Sequence, residues 1–139
     1  MRLVIDTNIL LSALIRDSLT RKMIVESDWT LYYPEISFHE IRKYQKLVLE
    51  KSGMIKEEYD DLLAHLLDHI LLVPDEKIFQ NLEEAKQIMA HIDPDDVVFI
   101  AAALSLHNTI LWSDDKDFQK QDKINQTTTK QIANQFLNI

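Results

Sequence analysis

The chain has 139 residues, of which 46% are hydrophobic and 27% charged, and its formal net charge at pH 7 is −8. A domain of this size buries roughly 68 to 70% of the surface that its unfolded chain exposes, so one core is enough to stabilise it. The absence of cysteine excludes disulfides, iron–sulfur clusters, cysteine zinc sites and thiol catalysis. We therefore expect a single domain over residues 1–139 that needs no covalent cross-link.

The N-terminal apolar stretch is short and interrupted. Asp6, Thr7 and Asn8 break it, and Ser12 breaks it again, so neither a signal peptide nor a membrane span fits. Together with the lack of cysteine, this predicts a cytoplasmic protein with no membrane contact. The acidic balance argues against capture of nucleic acid by a broad basic surface, so a nucleic-acid ligand would need a local reversal of the field.

Apolar runs and helical repeats alternate along the chain. Residues 3–5 form an apolar run that ends at Asp6, and apolar residues then recur at helical spacing. Further strands are predicted at 30–33, 70–73, 109–112 and 124–127. Helices are predicted at 19–27, 36–51 (stopped by Gly53), 56–67, 75–90, 93–106 (capped by Asp93, with Pro94 at its first position) and 129–137. Without hairpin signals this alternation predicts an α/β fold in three α/β/α layers around a parallel sheet of four to five strands.

Four acidic residues fall at or near the predicted C-terminal ends of the strands. Asp6 and Asp115 directly follow strands, Glu40 comes early in the helix after the second strand, and Asp96 lies in the first turn after Pro94. Ligands of open parallel sheets bind at this edge. Two unit charges about 4 Å apart repel by about 4 kcal/mol at an effective dielectric near 20, and a divalent cation removes that cost. Carboxylates suit Mg²⁺ or Mn²⁺, one or two of which can activate water against a phosphodiester.

Each acid also has a purely structural interpretation. Asp6 could cap the first helix, Asp96 could favour a helix dipole, Glu40 could be a solvated helix residue, and Asp115 could belong to a turn. Composition and spacing alone leave the function open.

Four motifs resemble those of PIN-domain nucleases. They are, in chain order, VIDTNIL at residues 4–10, PE followed by EI around Glu40, DPDDVVFIAAAL at residues 93–104, and LWSDDKDF at residues 111–118. The resemblance extends over residues 1 to about 137.

The resemblance implies specific roles for these residues. Asp6, Glu40, Asp96 and Asp115 would hold Mg²⁺ or Mn²⁺, and Asn8, Ser113 and Asp117 would be polar supports. The alignment on the alanine-rich run favours Asp96 over Asp95, which we expect to face solvent, while Asp93 caps. The family further implies a five-strand parallel sheet, cleavage of RNA by metal-activated water, homodimers and, for VapC-type toxins, an antitoxin partner. The region between Ile36 and Ala90 is closer to less characterised PIN-domain proteins.

Rival interpretations fit less well. A haloacid-dehalogenase phosphatase needs a second Asp where Asn8 stands. A phospho-receiver module needs an Asp pair near the first strand and a phosphorylatable Asp near the third, and this sequence has neither. The single glycine excludes a glycine-rich phosphate loop. The open alternative is a catalytically silent PIN module that binds RNA or a partner protein. Basic residues that trail the acidic edge either line an RNA path or form ordinary solvated helix faces: Arg16, Arg21, Lys22, Arg42, Lys43, Lys46, Lys116 and Lys120.

Overall fold

A five-stranded parallel sheet forms the centre of the fold in the computed structural model, which describes residues 1–138. The order across the sheet is β3-β2-β1-β4-β5, and every neighbouring pair is parallel. The strands are β1 (Arg2–Ile5), β2 (Thr30–Pro34), β3 (Ile70–Val73), β4 (Thr109–Trp112) and β5 (Gln126–Thr127). Apolar runs at β1 and β4 are buried because helices cover both faces, as parallel sheets require. The predicted three-layer α/β/α fold is confirmed.

The helices divide into two groups around this sheet. Helix α8 packs on β1, β2 and β4 together with α6 and α7, whereas α1 packs with α2, α4 and α5. The helices are α1 (Thr7–Ile15), α2 (Leu19–Glu26), α3 (Phe38–Lys43), α4 (Gln45–Ser52), α5 (Lys56–Leu67), α6 (Asp75–Gln80), α7 (Leu82–Met89), α8 (Val97–Leu104) and α9 (Thr129–Phe136). Short 3₁₀ turns occupy Glu35–Ser37, Pro94–Asp96 and Lys116–Lys120. None of the helices within residues 1–138 has the length and apolarity needed to cross a membrane.

Helix α8 is the central helix. Its sequence VVFIAAAL is apolar all round, and Phe99, Ile100 and the three alanines are buried. Small alanine side chains let this helix approach the sheet closely. The acidic turn that precedes α8 is therefore continuous with a buried helix at the centre of the fold.

Two predicted helices are each broken in the middle. The helix predicted at 36–51 begins as a 3₁₀ turn and breaks at Tyr44, whose φ of −95° and ψ of 4° separate α3 from α4. The helix predicted at 75–90 breaks at Asn81, where the side-chain amide donates to the carbonyl of Lys77 at 2.9 Å and competes with the backbone ladder. Gly53 stops α4 with a left-handed φ of 74°, as predicted.

Two predicted elements are shorter than expected. The strand predicted at 124–127 is reduced to Gln126–Thr127. The Ile124 amide donates to the Gln121 side chain at 2.9 Å, so it is not available for hydrogen bonding within the sheet. Helix α8 ends at Leu104 and not at residue 106. Directly after this end, the Ser105 hydroxyl donates to the Ala102 carbonyl at 2.7 Å.

Candidate metal centre at the carboxyl edge of the sheet

The ends of β1 and β4 bring the first pair of acidic residues together. The strands are adjacent, with Ile5 paired to Trp112, and the Asp6 amide donates to the Trp112 carbonyl at 3.4 Å. Asp6 therefore leaves β1 beside the segment that carries Ser113 and Asp115 out of β4. Parallel strands place their carboxyl ends on one edge, and the predicted convergence at this edge follows from that geometry.

Asp6 is buried and held by two hydrogen bonds. One carboxylate oxygen accepts from the Ile9 amide at 3.0 Å and caps α1, and the other accepts from the Ser113 hydroxyl. Burial raises the pKa of Asp6 from 3.8 to about 6, although both hydrogen bonds lower it; Asp115 and Asp114 raise it further by repulsion. The capping role and the place at the acidic edge therefore coexist in one side chain.

A second group of carboxylates lies next to Asp6. Each of its members offers one oxygen, and these oxygens all lie within 4.8 Å of one another: Asp93, Asp96, Asp115 and Asp117. Burial raises the pKa of Asp96 from 3.8 to about 8, and repulsion from Asp93, Asp115 and Asp6 adds to this effect. A hydrogen bond between the carboxyl groups of Asp93 and Asp96 also raises the pKa of Asp96. The Asp96 Oδ2 atom is buried, and within residues 1–138 no N–H or hydroxyl group donates to it. A buried carboxylate oxygen without a donor, surrounded by like charges, is the environment that a cation would relieve.

The local backbone explains why these acids meet. The Asp93 carboxylate accepts from the Asp95 amide at 3.0 Å, so Asp93 caps the turn, as predicted. This turn is a 3₁₀ helix, in which residues three apart lie in line, so Asp93 and Asp96 fall on the same side. Asp95 points outward and is exposed, as expected.

The segment after β4 is fixed by its own hydrogen bonds. Ser113 Oγ accepts from the Asp115 amide at 3.0 Å, and the Asp115 carboxylate accepts from the Asp117 amide at 2.9 Å. The Gln126 side chain donates to the carbonyls of Ser113 and Asp115, each at 2.9 Å. Ser113 therefore supports Asp6 and Asp115 at once, and the loop holds its shape through contacts with the last strand.

One lysine partly neutralises the cluster. Lys120 Nζ donates to Asp117 Oδ1 at 2.9 Å, and its pKa is raised by this hydrogen bond and by the attraction of Asp117. Asp117 is thus already paired with a cation, while Asp96 has no such ion pair within residues 1–138.

Asp114 binds the start of α9 and is not one of the four carboxylates whose oxygens meet within 4.8 Å. Its carboxylate accepts from the amide and the hydroxyl of Thr129, each at 2.7 Å, and so anchors the start of α9.

Glu40 reaches the same neighbourhood from α3. Burial raises the pKa of Tyr33, and repulsion from the carboxylates of Glu40 and Asp6 raises it further. Both carboxylates therefore lie near the Tyr33 phenol. The Tyr33 hydroxyl donates to the Ser37 carbonyl at 3.0 Å and shares a hydrogen bond with Thr7 Oγ1 at 2.8 Å. Glu40 and Asp6 are not among the residues whose oxygens meet within 4.8 Å in the described chain.

The sequence pattern left Asp93 out of the ligand candidates. The structure places Asp93 and Asp117 with Asp96 and Asp115, and puts Asn8 on the exposed side of α1. The Asp-Pro-Asp-Asp run was the available signal, since a proline at the first position also suits a tight 3₁₀ turn.

Known proteins resemble this chain in sequence and in fold. A family model described as the PIN domain matches residues 4–136. Among solved structures, the chain is similar to one in the crystal structure of VapBC2 from Rickettsia felis bound to a DNA fragment from their promoter, with a TM-score of 0.68 and 17% sequence identity. The alignment covers 92% of this chain and 98% of that one. A search of curated proteins gives no match.

Proposed function

This chain belongs to the PIN-domain family, and from that premise we propose that it is a ribonuclease whose metal, Mg²⁺ or Mn²⁺, is held by Asp6, Glu40, Asp96 and Asp115. The observation that carries the proposal is the buried, unpartnered Oδ2 atom of Asp96 among other carboxylates. Carboxyl groups whose pKa is shifted by burial together with neighbouring charges cluster at functional sites, because such sites need tuned protonation states.

The residues fit a divalent ion of the hard, oxygen-binding kind. The candidate donors are carboxylate oxygens, and the described residues include no cysteine and no histidine in the cluster. The raised pKa values of Asp6 and Asp96 mean that a cation would have to displace protons to bind. When bound, the metal would lower the pKa of a water and stabilise the charge that develops on the phosphodiester.

The supporting residues orient the proposed ligands. Ser113 donates to Asp6 and thereby keeps that carboxylate aimed along the sheet edge. Asp93 and Asp117 add negative charge beside Asp96 and Asp115, and Lys120 balances Asp117. Residues of this kind that orient ligands change metal affinity by about 10- to 100-fold when removed.

The biological setting that we propose is a toxin–antitoxin pair. The chain would then be the toxin, would act on RNA in the cytoplasm, would form homodimers and would be neutralised by a protein partner. The supporting observation is the resemblance of its fold to a chain of VapBC2.

The proposal is tested by RNA cleavage with purified protein. Wild type should cleave RNA in Mg²⁺ or Mn²⁺ and not in EDTA, and Asp6→Asn and Asp96→Asn should abolish cleavage with the fold retained by circular dichroism. Asp95→Asn, which removes a neighbouring exposed carboxylate, is the matched control and should keep activity. Equal cleavage by wild type and both site variants would identify a contaminant. No cleavage by any of them in either metal would point to the silent PIN module.

A further inference from the structure

Two exposed histidines lie one helical turn apart at the end of α5. His65 is in the last turn of this helix, and His69 follows it by four residues, directly before β3 begins. Asp68 between them keeps right-handed helical angles, with a φ of −62° and a ψ of −20°, so the backbone spiral continues towards His69. Residues four apart in such a spiral share one face. The two imidazoles therefore stand beside each other on the surface.

The imidazole rings are close enough to bind one metal ion together. Their centroids are 5.3 Å apart. Two rings on one ion, each with a nitrogen about 2.0 to 2.1 Å from the metal, would have centroids roughly 4.5 to 5 Å apart. The planes meet edge to face at 87°, and both side chains are exposed. Rotation about side-chain bonds is therefore enough to aim one nitrogen of each ring at a shared ion, and the backbone need not move.

The nitrogens of both rings are free to take a ligand. Among residues 1–138, the histidine ring that forms a hydrogen bond with a protein group is that of His39, and neither His65 nor His69 has such a partner. Over the same residues, the ion pairs of the protein involve lysine and arginine only. Binding a metal at this pair would break no contact except the packing of one ring on the other.

The surroundings of the pair suit a cation. The free carbonyls at the C-terminal end of a helix carry partial negative charge, and His65 is in the last turn of α5. The same histidine lines a cavity of about 530 Å³ in which Asp17 and Glu26 balance the charges of Arg21 and Lys22. No net positive charge of this cavity therefore opposes a metal ion.

The histidine pair is separate from the acidic edge in position. His69 precedes β3, so it lies at the amino edge of the parallel sheet, whereas Asp6 and Asp115 follow their strands at the carboxyl edge. The two sets of side chains share no residue. Whatever binds at one edge is held by ligands that the other edge does not use.

The pair also differs from the acidic edge in chemistry. Imidazole nitrogen suits Zn²⁺, Cu²⁺ and Ni²⁺, while carboxylates suit Mg²⁺ and Mn²⁺. Two histidines four apart on one helical face are the arrangement with which zinc peptidases hold their metal. The part of the chain that the structure describes offers no third histidine or acid with a ligand atom within 4.8 Å of both. Water would therefore complete the coordination of an ion held here.

We propose that His65 and His69 form a transition-metal site for Zn²⁺, Cu²⁺ or Ni²⁺, with water in the remaining positions. Cu²⁺ binds most tightly of the three, as it does to nitrogen ligands in general. The bound ion holds the end of α5 at the start of β3, and because the unfolded chain does not present the pair, binding stabilises the fold. This site does not depend on the proposed nuclease activity.

Electron paramagnetic resonance of bound Cu²⁺ tests the pair. The protein is kept in excess Mg²⁺, which occupies the carboxylates, and Cu²⁺ is added below one equivalent. Wild type should give the splitting of two nitrogen ligands, which an ion held by carboxylates would not show. His65→Asn and His69→Asn should each lose this signature and weaken Cu²⁺ binding by about tenfold or more, because even a lost partner of a ligand costs that much.

The matched control removes another exposed histidine. His107→Asn should keep the spectrum and the affinity of wild type. In thermal unfolding with Zn²⁺, the midpoint of wild type and of this control should rise, and that of the two pair variants should rise less, because an ion that binds only the folded state stabilises it.

The outcomes separate this site from the proposed nuclease. A spectrum with oxygen ligands only, or a nitrogen signature that persists in both pair variants, would overturn the site. Loss in one pair variant alone would identify a lone histidine and overturn the pair. RNA cleavage in Mg²⁺ should be equal in His65→Asn and wild type. Cleavage by neither, with the nitrogen signature present in wild type, would overturn the nuclease and keep the metal site.

Discussion

Replacing Asp96 by asparagine should stabilise the metal-free protein at neutral pH. In the unfolded chain this carboxyl ionises near 3.8, whereas in the folded protein burial and neighbouring acids hold its pKa at about 8. Between these two values the unfolded state releases a proton that the folded state retains, so wild-type stability falls as the pH rises from about 4 to 8. Asparagine does not titrate in either state, so the stability of the variant does not fall with pH in this way.

The size of the effect follows from the interval between the two pKa values. The unfolded-state pKa of 3.8 lies about 3 units below pH 7, and each unit is worth about 1.4 kcal/mol. The wild-type free energy of unfolding therefore falls by at most about 4 kcal/mol. Because Asp96 is half-buried, solvent screens part of this, and we expect about 2 kcal/mol at pH 7. For a chain of this length that is about 6 to 10 °C in the thermal midpoint.

Thermal unfolding in EDTA at several pH values measures this directly. The gain of Asp96→Asn over wild type should be largest near pH 7 and above, fall to less than half at pH 5, and vanish below pH 4. Asp95→Asn, which changes the same charge at an exposed position, should show no comparable gain. A variant that is less stable than wild type at pH 7, or whose gain does not depend on pH, would refute the electrostatic cause.

Three further predictions concern single contacts. Ser113→Ala removes the hydroxyl that donates to Asp6, so it should raise the pKa of Asp6 above about 6. It should also weaken Mn²⁺ binding by about tenfold or more in calorimetric titration, and unchanged affinity would contradict a supporting role. Gly53→Ala should destabilise the protein by about 1 to 2 kcal/mol in urea unfolding because its φ is 74°, and Gly53→Asn should cost less. Asp114→Ala should cost about 1 to 2 kcal/mol by releasing the start of α9, with RNA cleavage retained; lost cleavage would place Asp114 in the site.

The sheet edge was predictable because local sequence and long-range geometry agree there. The apolar runs before Asp6 and Asp115 are short, bounded and buried, and their parallel pairing puts both acids at one edge whatever the details of the helices. The same holds for α8, whose apolar sequence permits only a central position.

The missed features depend on contacts that the chain makes only when folded. The break at Tyr44 has no proline or glycine to announce it, and the shortened β5 results from side-chain bonds of Gln121. Asp93 was assigned only a cap because the turn was expected to be α-helical, and the 3₁₀ geometry is what aligns it with Asp96. Such choices are decided by tertiary packing rather than by local propensity.

Anomalous diffraction from crystals of the wild-type protein soaked in Mn²⁺ tests the proposed metal centre most directly. We predict one or two manganese peaks at coordination distance from oxygens of Asp96 and Asp115, with Asp6 or Glu40 completing the site, and no peak in Asp96→Asn crystals treated alike. A well-ordered acidic edge without manganese, or manganese bound only by Asp93 and Asp117, would contradict the assignment.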